Sequence, residues 1–406
     1  MSKKSLLSCT TAAAILLFCT PHNLQAAEKF KAGKGEKKTA TTGATYENLQ
    51  ALDSGKIYGT NLAIIGNKDT NNSTNPTMKF AVSAEKKGSY IELWNTTIKG
   101  TDFDIFRGLE AKNDAAIKMT GGSITAQAFA VSFFNSRPDY GNENMLENVT
   151  SSASKALEVR KNANVTVSGG SFNGQVSANG GGSITLTDDV KITSNKYGFF
   201  VEDPESWVQM IGGEVTGKGI AIVAQNNTRI TLRDVIIKAG GSGTRVNALY
   251  STITVSGNTE IKDASIGLEA TGSNETGRGE IRVYGSKDTP IKITAKEIGL
   301  NAVRSGHIIV TDVLIKTDGN GMGAKAIDQN SMIELNGNTE IKDVAFGLVT
   351  EGSGEIKVTG SKDSPIKITG KEATMVAATW GRITVTNALL KTDGNGLAQV
   401  LIPKIV

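Results

Sequence analysis

A long imperfect repeat constrains the fold of this chain more than any other feature. The run Gly257–Asp263 (Gly-Asn-Thr-Glu-Ile-Lys-Asp) returns unchanged at Gly337–Asp343, 80 residues later. A second run of ten residues, beginning at Gly285, returns at Gly360 with a single threonine-to-serine exchange. Because a repeating chain stacks copies of one supersecondary unit, the repeat predicts an elongated scaffold rather than a domain around one central core.

A shorter repeat lies inside the long one. A strand of alternating apolar and polar residues recurs about every 24 residues, and glycine, asparagine or aspartate follows it at a corner. The single gap of 48 residues, between Ile117 and Val165, predicts one further strand whose pattern is disguised. The first apolar residues of the recognisable strands are Ile91, Ile117, Val165, Ile184, Val208, Ile230, Ile253, Ile281, Ile308, Ile333, Ile356 and Ile383.

Short strands and tight corners at this spacing predict an all-β fold, a single-stranded right-handed parallel β-helix of about 13 coils over residues 50–406. The hand follows from the preference of parallel crossover connections. An antiparallel sandwich is the main alternative, but it explains neither the regular spacing nor the lack of two-residue hairpin turns. The residues expected to point inward in columns are Ile253, Val255, Ile281, Val283, Ile308, Val310, Ile333, Leu335, Ile356, Val358, Ile383 and Val385.

The first 27 residues have the pattern of a signal peptide. Two lysines precede a mostly apolar run at residues 6–18, which is too short to span a bilayer, and Ala26-Ala27 offers a cleavage site. A retained membrane anchor is the alternative. Both cysteines, Cys9 and Cys19, lie in this leader, so the mature chain would form no disulfide.

Residues 28–49 contain a local excess of lysine in a stretch rich in glycine, threonine and alanine. We expect this segment to be a disordered, solvated tail. Contact of its lysines with an anionic surface is the alternative.

Residues that could carry catalysis are few. The mature chain has one histidine, His307, so no Ser-His-Asp or Cys-His arrangement can be assembled. The adjacent pair Asp188-Asp189 falls at a corner, whereas glycosidase carboxylates face each other across about 5–9 Å. We therefore predict that the protein is not an enzyme and has no catalytic residue, metal site or cofactor. With 44 basic and 40 acidic residues nearly in balance, no nucleic-acid partner is expected either.

Aromatic residues mark the one candidate binding region. Phe133, Phe134, Arg137 and Tyr140 lie in or beside the stretch Asn135–Asn148, inside the doubled gap. Because insertions in a solenoid project as loops, we predict that these four residues bind a ligand. The alternative is that the rings here, and those of a second group from Tyr197 to Trp207, fill the core.

The signal peptide, the rungs of the form Ser-Ile-Thr-Val-Ser-Gly-Gly and the Ser-Lys-Asp-Ser-Pro-Ile-Lys-Ile-Thr insertions together resemble the passenger domain of a type V autotransporter. Over about residues 50–406 the chain is similar to the inducible Bartonella autotransporter family. The resemblance implies export, display on the outer surface and adhesion, and it transfers no functional residue. Autotransporters end in a C-terminal β-barrel, which these 406 residues lack. We therefore expect a fragment, a truncated product or a passenger whose barrel is encoded elsewhere.

The sequence thus predicts a secreted or cell-surface β-helix, associated with the outer membrane, that binds as an adhesin. The expected partners are host-cell or extracellular-matrix molecules, with an outer-membrane β-barrel in trans. A polysaccharide-active β-helix enzyme is the first alternative, and it requires facing acidic residues in a groove. A structural stalk or truncated remnant of an autotransporter is the second.

Overall fold

The computed structural model describes residues 28–66, 80–100, 107–138, 141, 143–239, 243–273 and 277–393. Regular structure in this part of the chain is all strand, and no helix there could cross a membrane. The strands are β1 (Glu28–Ala32), β2 (Lys37–Thr39), β3 (Thr45–Leu52), β4 (Lys56–Thr60), β5 (Ala63–Gly66), β6 (Phe80–Glu85), β7 (Tyr90–Gly100), β8 (Arg107–Lys112), β9 (Ala116–Thr125), β10 (Phe129–Phe134), β11 (Met145–Glu147), β12 (Thr150–Arg160), β13 (Asn164–Ser168), β14 (Ser171–Asn179), β15 (Ser183–Thr187), β16 (Lys191–Ser194), β17 (Tyr197–Glu202), β18 (Trp207–Ile211), β19 (Glu214–Gly217), β20 (Ile220–Gln225), β21 (Arg229–Arg233), β22 (Ile236–Ala239), β23 (Thr244–Leu249), β24 (Thr252–Ser256), β25 (Glu260–Thr271), β26 (Glu280–Tyr284), β27 (Ile291–Val303), β28 (His307–Thr311), β29 (Val313–Lys316), β30 (Met322–Ile327), β31 (Met332–Asn336), β32 (Glu340–Glu351), β33 (Glu355–Thr359), β34 (Ile366–Ala377), β35 (Arg382–Thr386) and β36 (Ala388–Thr392).

Each strand pairs in parallel with strands of the coils before and after it, so the strands form three faces. The first face stacks β2, β4, β7, β9, β11, β13, β15, β18, β21, β24, β26, β28, β31, β33 and β35. The third face stacks β1, β3, β6, β8, β10, β12, β14, β17, β20, β23, β25, β27, β30, β32 and β34, and the second face lies between these two along the chain. Long strands such as β7 and β25 bend round a corner and serve two faces.

The chain is therefore a right-handed parallel β-helix, and the predicted fold class is confirmed. A sandwich would need antiparallel strand pairs, but among the described residues the one antiparallel contact is an isolated bridge from Ser273 to Gly277. The first face has fifteen strands in the described chain, because β2 and β4 precede the first strand that we recognised from the sequence and β11 occupies the doubled gap.

The core consists of inward columns of aliphatic residues. Ten of the twelve residues predicted to point inward, from Ile253 to Val358, are at most 1 % exposed. Ile383 and Val385 on β35 are half-buried, since no further described strand covers them on one side. The alternation of inward Ile or Val with outward Thr, Lys or Glu thus determines which side of each strand is buried.

The disguised strand in the doubled gap is β11, and an asparagine disguises it. Leu146 pairs with Met119 below and Val167 above, which puts Asn144 in the column of Ile117 and Val165. Asn144 is 2 % exposed. A polar residue at an inward position breaks the apolar alternation, so the sequence pattern misses this coil.

The lysine-rich segment at residues 28–49 is ordered, and the prediction of a disordered tail is wrong. β1 and β2 form the first coil, with Ala32 and Ala40 buried against the coil that follows. Lys29, Lys31, Lys37 and Lys38 lie on these two strands. Charged side chains on an end strand discourage pairing with another chain, so the composition that suggested disorder fits the edge of a sheet equally well.

At five first-face corners an asparagine or aspartate in one coil is followed by a glycine in the next. Asn95, Asn148, Asp189, Asp234 and Asp312 all have positive φ, and the glycine of the following coil lies directly beside each side chain. A Cβ on that glycine would lie no more than 3.0 Å from the Asn or Asp Oδ1. A side chain at one of these glycines would therefore clash with the corner residue of the preceding coil. Asn61 and Asn95, which occupy this corner in successive coils, show that neighbouring coils can also both carry a side chain here.

The predicted signal peptide, residues 1–27, lies outside the described residues.

Candidate binding surface

Four consecutive strands of the third face carry an alternating pattern of outward side chains. β6 and β10 both begin Phe-Ala-Val-Ser, whereas β8 (Arg-Gly-Leu-Glu-Ala-Lys) and β12 (Lys-Ala-Leu-Glu-Val-Arg at its end) place a glutamate between two cations. The strand register aligns these residues in columns. We call this surface the ladder; it comprises Phe80, Ser83, Glu85, Arg107, Glu110, Lys112, Phe129, Ser132, Phe134, Lys155, Glu158 and Arg160.

The central column of the ladder is Ser83, Glu110, Ser132 and Glu158. Glu110 and Glu158 point away from the apolar core and yet are only 6 % and 1 % exposed, and Ser132 between them is fully buried. A small serine in every second coil leaves room for the longer glutamates on either side. At the usual spacing of strands the two carboxylates lie about 9.6 Å apart along the axis.

Arg107 lies between two phenylalanine rings. Its guanidinium carbon is 5.1 Å from the ring centre of Phe80 and 4.4 Å from that of Phe129, and its Nη1 atom is 3.6 Å from Glu110 Oε1. Cation–π contacts of this kind stabilise a partly desolvated cation. Burial lowers the pKa of Arg107 from its ordinary value, and the nearby Glu110 carboxylate opposes that shift.

On β12, the buried carboxylate of Glu158 lies beneath the cations of Lys155 and Arg160, and we call such a set of charged residues on one strand a row. Lys155 Nζ is 2.6 Å from Glu158 Oε1, and Arg160 Nε is 3.0 Å from Glu158 Oε2 in an ion pair whose N–H does not point at the oxygen. Lys155 also lies 5.1 Å from the Phe129 ring, and Arg160 lies 5.2 Å from the Phe134 ring. The Lys155 and Arg160 side chains are about one-third exposed, whereas that of Glu158 is 1 % exposed. Solvent therefore meets the cations and not the carboxylate.

Glu110 has a different electrostatic environment from an ordinary surface carboxylate. Burial raises its pKa from 4.5 to about 7, against the opposing effect of Lys112, Arg107 and Arg160. The buried atoms Arg107 Nε and Ser132 Oγ have no hydrogen-bond partner among the described residues. Unpaired polar atoms and a shifted carboxyl pKa in one small region are features that functional sites share.

A second copy of the strand motif shows that the fold does not require these cations. At Ile266–Thr271 the same strand reads Ile-Gly-Leu-Glu-Ala-Thr, with apolar or neutral residues in place of both cations. Its glutamate, Glu269, accepts hydrogen bonds from the side-chain amides of Asn247 (3.3 Å) and Asn301 (2.9 Å). A glutamate at this position can thus be satisfied by neutral neighbours, so the cation pairs of β8 and β12 are a feature of the ladder.

The four residues predicted to bind a ligand lie in four different situations. Phe133 is fully buried in the core, so it cannot contact a ligand there, and the alternative that it packs is correct for this ring. Phe134 belongs to the ladder and lies under Arg160 and Lys161. Arg137 is exposed at the next corner, where its backbone N–H donates to Asp114 Oδ1 at 3.3 Å. Tyr140 lies outside the described residues.

The predicted loop is shorter than expected. Asn144 belongs to the inward column, and Met145–Glu147 is strand β11, so the second half of the predicted loop is part of the coil. The second aromatic group also divides: Phe199 is in the core, Tyr197 stacks on Phe200 at 5.3 Å, and Trp207 is 38 % exposed on the first face.

Two further candidates from the sequence lie away from the ladder. Asp188 and Asp189 are both corner residues with a φ of 58°, and hydrogen bonds from Ser168 and then Thr187 lower the pKa of Asp188. His307 is largely buried at the edge of the first face, with Nε2 2.8 Å from Glu334 Oε1 and Nδ1 3.0 Å from Arg278. Neither arrangement pairs two carboxylates across a cleft.

Sequence reasoning missed the charged residues of the ladder, although a signal was present. Phe-Ala-Val-Ser occurs at Phe80 and again at Phe129, 49 residues later, and the cation-x-Leu-Glu-x-cation pattern occurs at Arg107 and again at Lys155, 48 residues later. These offsets are twice the coil length. A search for a two-coil repeat would have identified the ladder.

The described residues include no cluster of three or more His, Cys, Asp or Glu side chains that could hold a metal ion. Comparison of the chain with protein-family models, curated proteins and solved structures finds no match. The ladder must therefore be interpreted from its own geometry.

Proposed function

We propose that this protein is an exported, non-catalytic β-helical rod that binds host-cell or extracellular-matrix molecules through the ladder. The observation that carries the proposal is the pair of rows in which cations cover a buried carboxylate, at Arg107–Lys112 and Lys155–Arg160. Of these cations, Lys112, Lys155 and Arg160 are about one-third exposed. A row of this kind presents fixed positive charge to solvent, and the glutamate beneath it holds the cation heads in place.

The rigidity of the surface supports binding. Arg107, Lys155 and Arg160 are each held by a glutamate of their own strand and by a ring of an adjacent coil, and Lys112 pairs with Glu85 of β6. Few rotamers therefore remain to be ordered when a ligand arrives. Lys161 and Arg137 extend the positive surface at the neighbouring corner. Lys161 lies over the Phe134 ring, 4.8 Å from its centre, and contacts no carboxylate among the described residues.

Export and surface display belong to the same proposal. The pattern of residues 1–27 supports a signal peptide, and the first described strand begins at Glu28, directly after the predicted cleavage site. We infer that the mature chain begins at Ala27 or Glu28. The resemblance to autotransporter passengers supports attachment to the outer membrane through a β-barrel supplied in trans.

The test is an attachment assay with the exported chain on cultured host cells and on immobilised matrix proteins. We expect Lys161→Glu and Arg137→Glu to reduce attachment, whereas the control Lys262→Glu leaves it unchanged. Lys262 is a suitable control because it has a similar exposure to Lys155, 32 %, but lies on the second face beside the equally exposed Glu260. Equal attachment by all four proteins, with melting curves that show an intact fold, would rule out the ladder as the binding surface.

Hydrolysis of a polysaccharide is the second candidate function, and one observation favours it. Glu110, with a pKa of about 7, and Glu158, beneath two cations, face outward two coils apart, at the upper end of the separation that inverting glycosidases use. Both carboxylates are covered, however, so a substrate would have to displace Arg107 or Lys155 to reach them. Release of reducing ends from a polysaccharide that disappears in a Glu110→Gln variant, and persists in Glu269→Gln, would establish this function instead.

A further inference from the structure

We propose that the ladder binds a linear acidic polysaccharide that lies along the axis of the β-helix and carries one negative charge on every second sugar. This inference rests on the proposed function, because it names the ligand class of the same surface. Three properties of the ladder support it: the exposure of its cations, the spacing between the charged rows on β8 and β12, and the placement of cations over the phenylalanine rings.

The ladder is electropositive where a ligand would touch it, although its formal charges nearly balance. Lys112, Lys155 and Arg160 are each about one-third exposed, whereas the Glu110 and Glu158 side chains are 8 % and 1 % exposed. Glu85 is the one carboxylate of the ladder with a comparable exposure, 29 %, and it pairs with Lys112 at 3.2 Å. A polyanion above the surface therefore meets more exposed cations than exposed carboxylates. Electrostatic complementarity of this kind favours anionic ligands and speeds their association.

The charged rows recur with the period of a disaccharide. β8 and β12 are separated by one strand, β10, so the cation rows repeat about every 9.6 Å along the axis. One sugar in an extended glycan chain is about as long as one strand spacing. A polysaccharide with one carboxylate or sulfate per disaccharide would therefore place successive charges over successive rows, with an uncharged sugar over the row of Phe129, Ser132 and Phe134.

The rings of the ladder favour a glycan over single-stranded nucleic acid. Nucleic-acid grooves present free aromatic faces on which bases stack. Here Arg107 and Lys155 occupy positions over Phe129, and Arg160 and Lys161 lie over Phe134. The rings serve to hold cations, so contact with the ligand runs through the charges.

The experiment measures binding of the full exported chain to three immobilised polymers: hyaluronan, which carries one carboxylate per disaccharide, neutral dextran, and poly(dT). We expect hyaluronan to bind, dextran not to bind, and the affinity for hyaluronan to fall steeply as salt is raised above about 0.1 M, where exposed charges become screened. Tighter binding to poly(dT) than to hyaluronan would contradict the proposal that the ladder's ligand is an acidic polysaccharide.

Two variants separate a binding effect from a folding effect. Lys161→Gln removes an exposed cation that pairs with no carboxylate among the described residues, and it should weaken hyaluronan binding about three- to ten-fold without changing the melting curve. The double variant Lys155→Gln/Glu158→Gln removes a cation together with its buried partner, so no buried charge is left unpaired. Arg160 loses Glu158 as well, but its side chain is 30 % exposed to solvent and keeps its contact with the Phe134 ring. It should weaken binding about ten-fold, whereas the control Lys262→Gln should leave it within two-fold of the original.

Failure of this inference can be distinguished from failure of the proposed function. If attachment to host cells depends on Lys161 while hyaluronan neither binds nor competes, the ladder is the binding surface but its ligand is not an acidic glycan of this period. If hyaluronan binds the original chain and every variant equally, the polymer binds elsewhere and the inference is wrong. If neither cells nor hyaluronan depend on the ladder, the proposed function fails as well.

Discussion

Asn144 provides the sharpest prediction about the coil that lies next to the ladder. Its column contains isoleucine or valine in the adjacent coils, at Ile117 and Val165, so a simple hydrophobic argument predicts that Asn144→Val stabilises the protein. The structure predicts the opposite. The Asn144 Oδ1 atom accepts from the Ile117 N–H at 3.1 Å, and Nδ2 donates to the Asn164 carbonyl at 3.0 Å and to the Ser136 Oγ at 2.7 Å.

These bonds replace part of a strand. β11 has only three residues, because the chain leaves the coil after Ser136 and returns at Asn144. The side-chain amide of Asn144 supplies the C=O and N–H groups that a longer strand would have offered to the coils below and above. Asn144 therefore continues the hydrogen bonding between coils on the N-terminal side of β11.

The magnitude follows from the groups left without partners. Asn144→Val removes the partner of the Ile117 N–H and of the Asn164 C=O, and each buried unpaired group costs about 1–3 kcal/mol. Burying the valine methyls returns about 1 kcal/mol. We expect a net loss of about 3 kcal/mol in the free energy of unfolding. Ile184→Val, in the same column, should cost only about 0.5–1.5 kcal/mol and is the matched control.

Urea denaturation measures the total effect, and amide hydrogen exchange locates it. The Ile117 amide should exchange much faster in Asn144→Val, whereas the Ile253 amide, several coils away, should not change, since repeat proteins respond mainly between neighbours. If Asn144→Val is as stable as the original chain and the Ile117 amide stays protected, the bridging role of Asn144 is wrong.

Three other predictions follow from the fold and the ladder. Gly257→Ala should destabilise the chain by about 2 kcal/mol in urea denaturation, since its φ is +69° and the new Cβ would meet Asp234 Oδ1; a smaller loss in an Asp234→Gly background would confirm the clash, and equal losses would refute it. Val358→Asp should cost about 3 kcal/mol or more, because it buries an unpaired charge, and an unchanged denaturation midpoint would mean that this residue does not point inward. Because Glu110 has a folded-state pKa raised from 4.5 to about 7, its contribution to stability is present below pH 4.5 and is lost as the pH rises to about 7 and above. Glu110→Gln should therefore stabilise the chain by about 2–3 kcal/mol at pH 8 and little at pH 4, and a variant that is less stable at pH 8 would contradict this assignment.

The period of the sequence predicted the fold because the first face obeys one simple rule. From Ile253 to Val358, the inward positions are aliphatic and the residues between them are polar, except Ile309, so spacing alone located the strands and the buried columns. The rule failed where a residue served two purposes. Asn144 is inward but polar because its side chain completes the hydrogen bonding between coils. The lysines of β1 and β2 give these strands the composition of a disordered tail, because charge on an end strand discourages pairing with another chain.

The ladder was harder to predict for a different reason. In a single strand such as Arg107–Lys112, alternation places Glu110 on the outer side, and an outer glutamate between cations looks like ordinary solvated surface. Its burial arises only when Phe80 and Phe129 of the adjacent coils pack around Arg107. Phe80 precedes Arg107 by 27 residues in the chain, and Phe129 follows it by 22. Aromatic character alone selected both Phe133 and Phe134, but alternation puts them on opposite sides of the strand, with Phe133 in the core.

Lysine labelling with and without ligand tests the central claim, that the ladder is the binding surface, most directly. The exported chain is acetylated under limiting reagent in the presence of hyaluronan or of host-cell surface material, and the modified lysines are quantified by mass spectrometry. The account predicts that the ligand protects Lys112, Lys155 and Lys161, while Lys262 and Lys342 on the second face react at unchanged rates. Uniform reaction of all five lysines in the presence of bound ligand, or protection confined to Lys262 and Lys342, would contradict it.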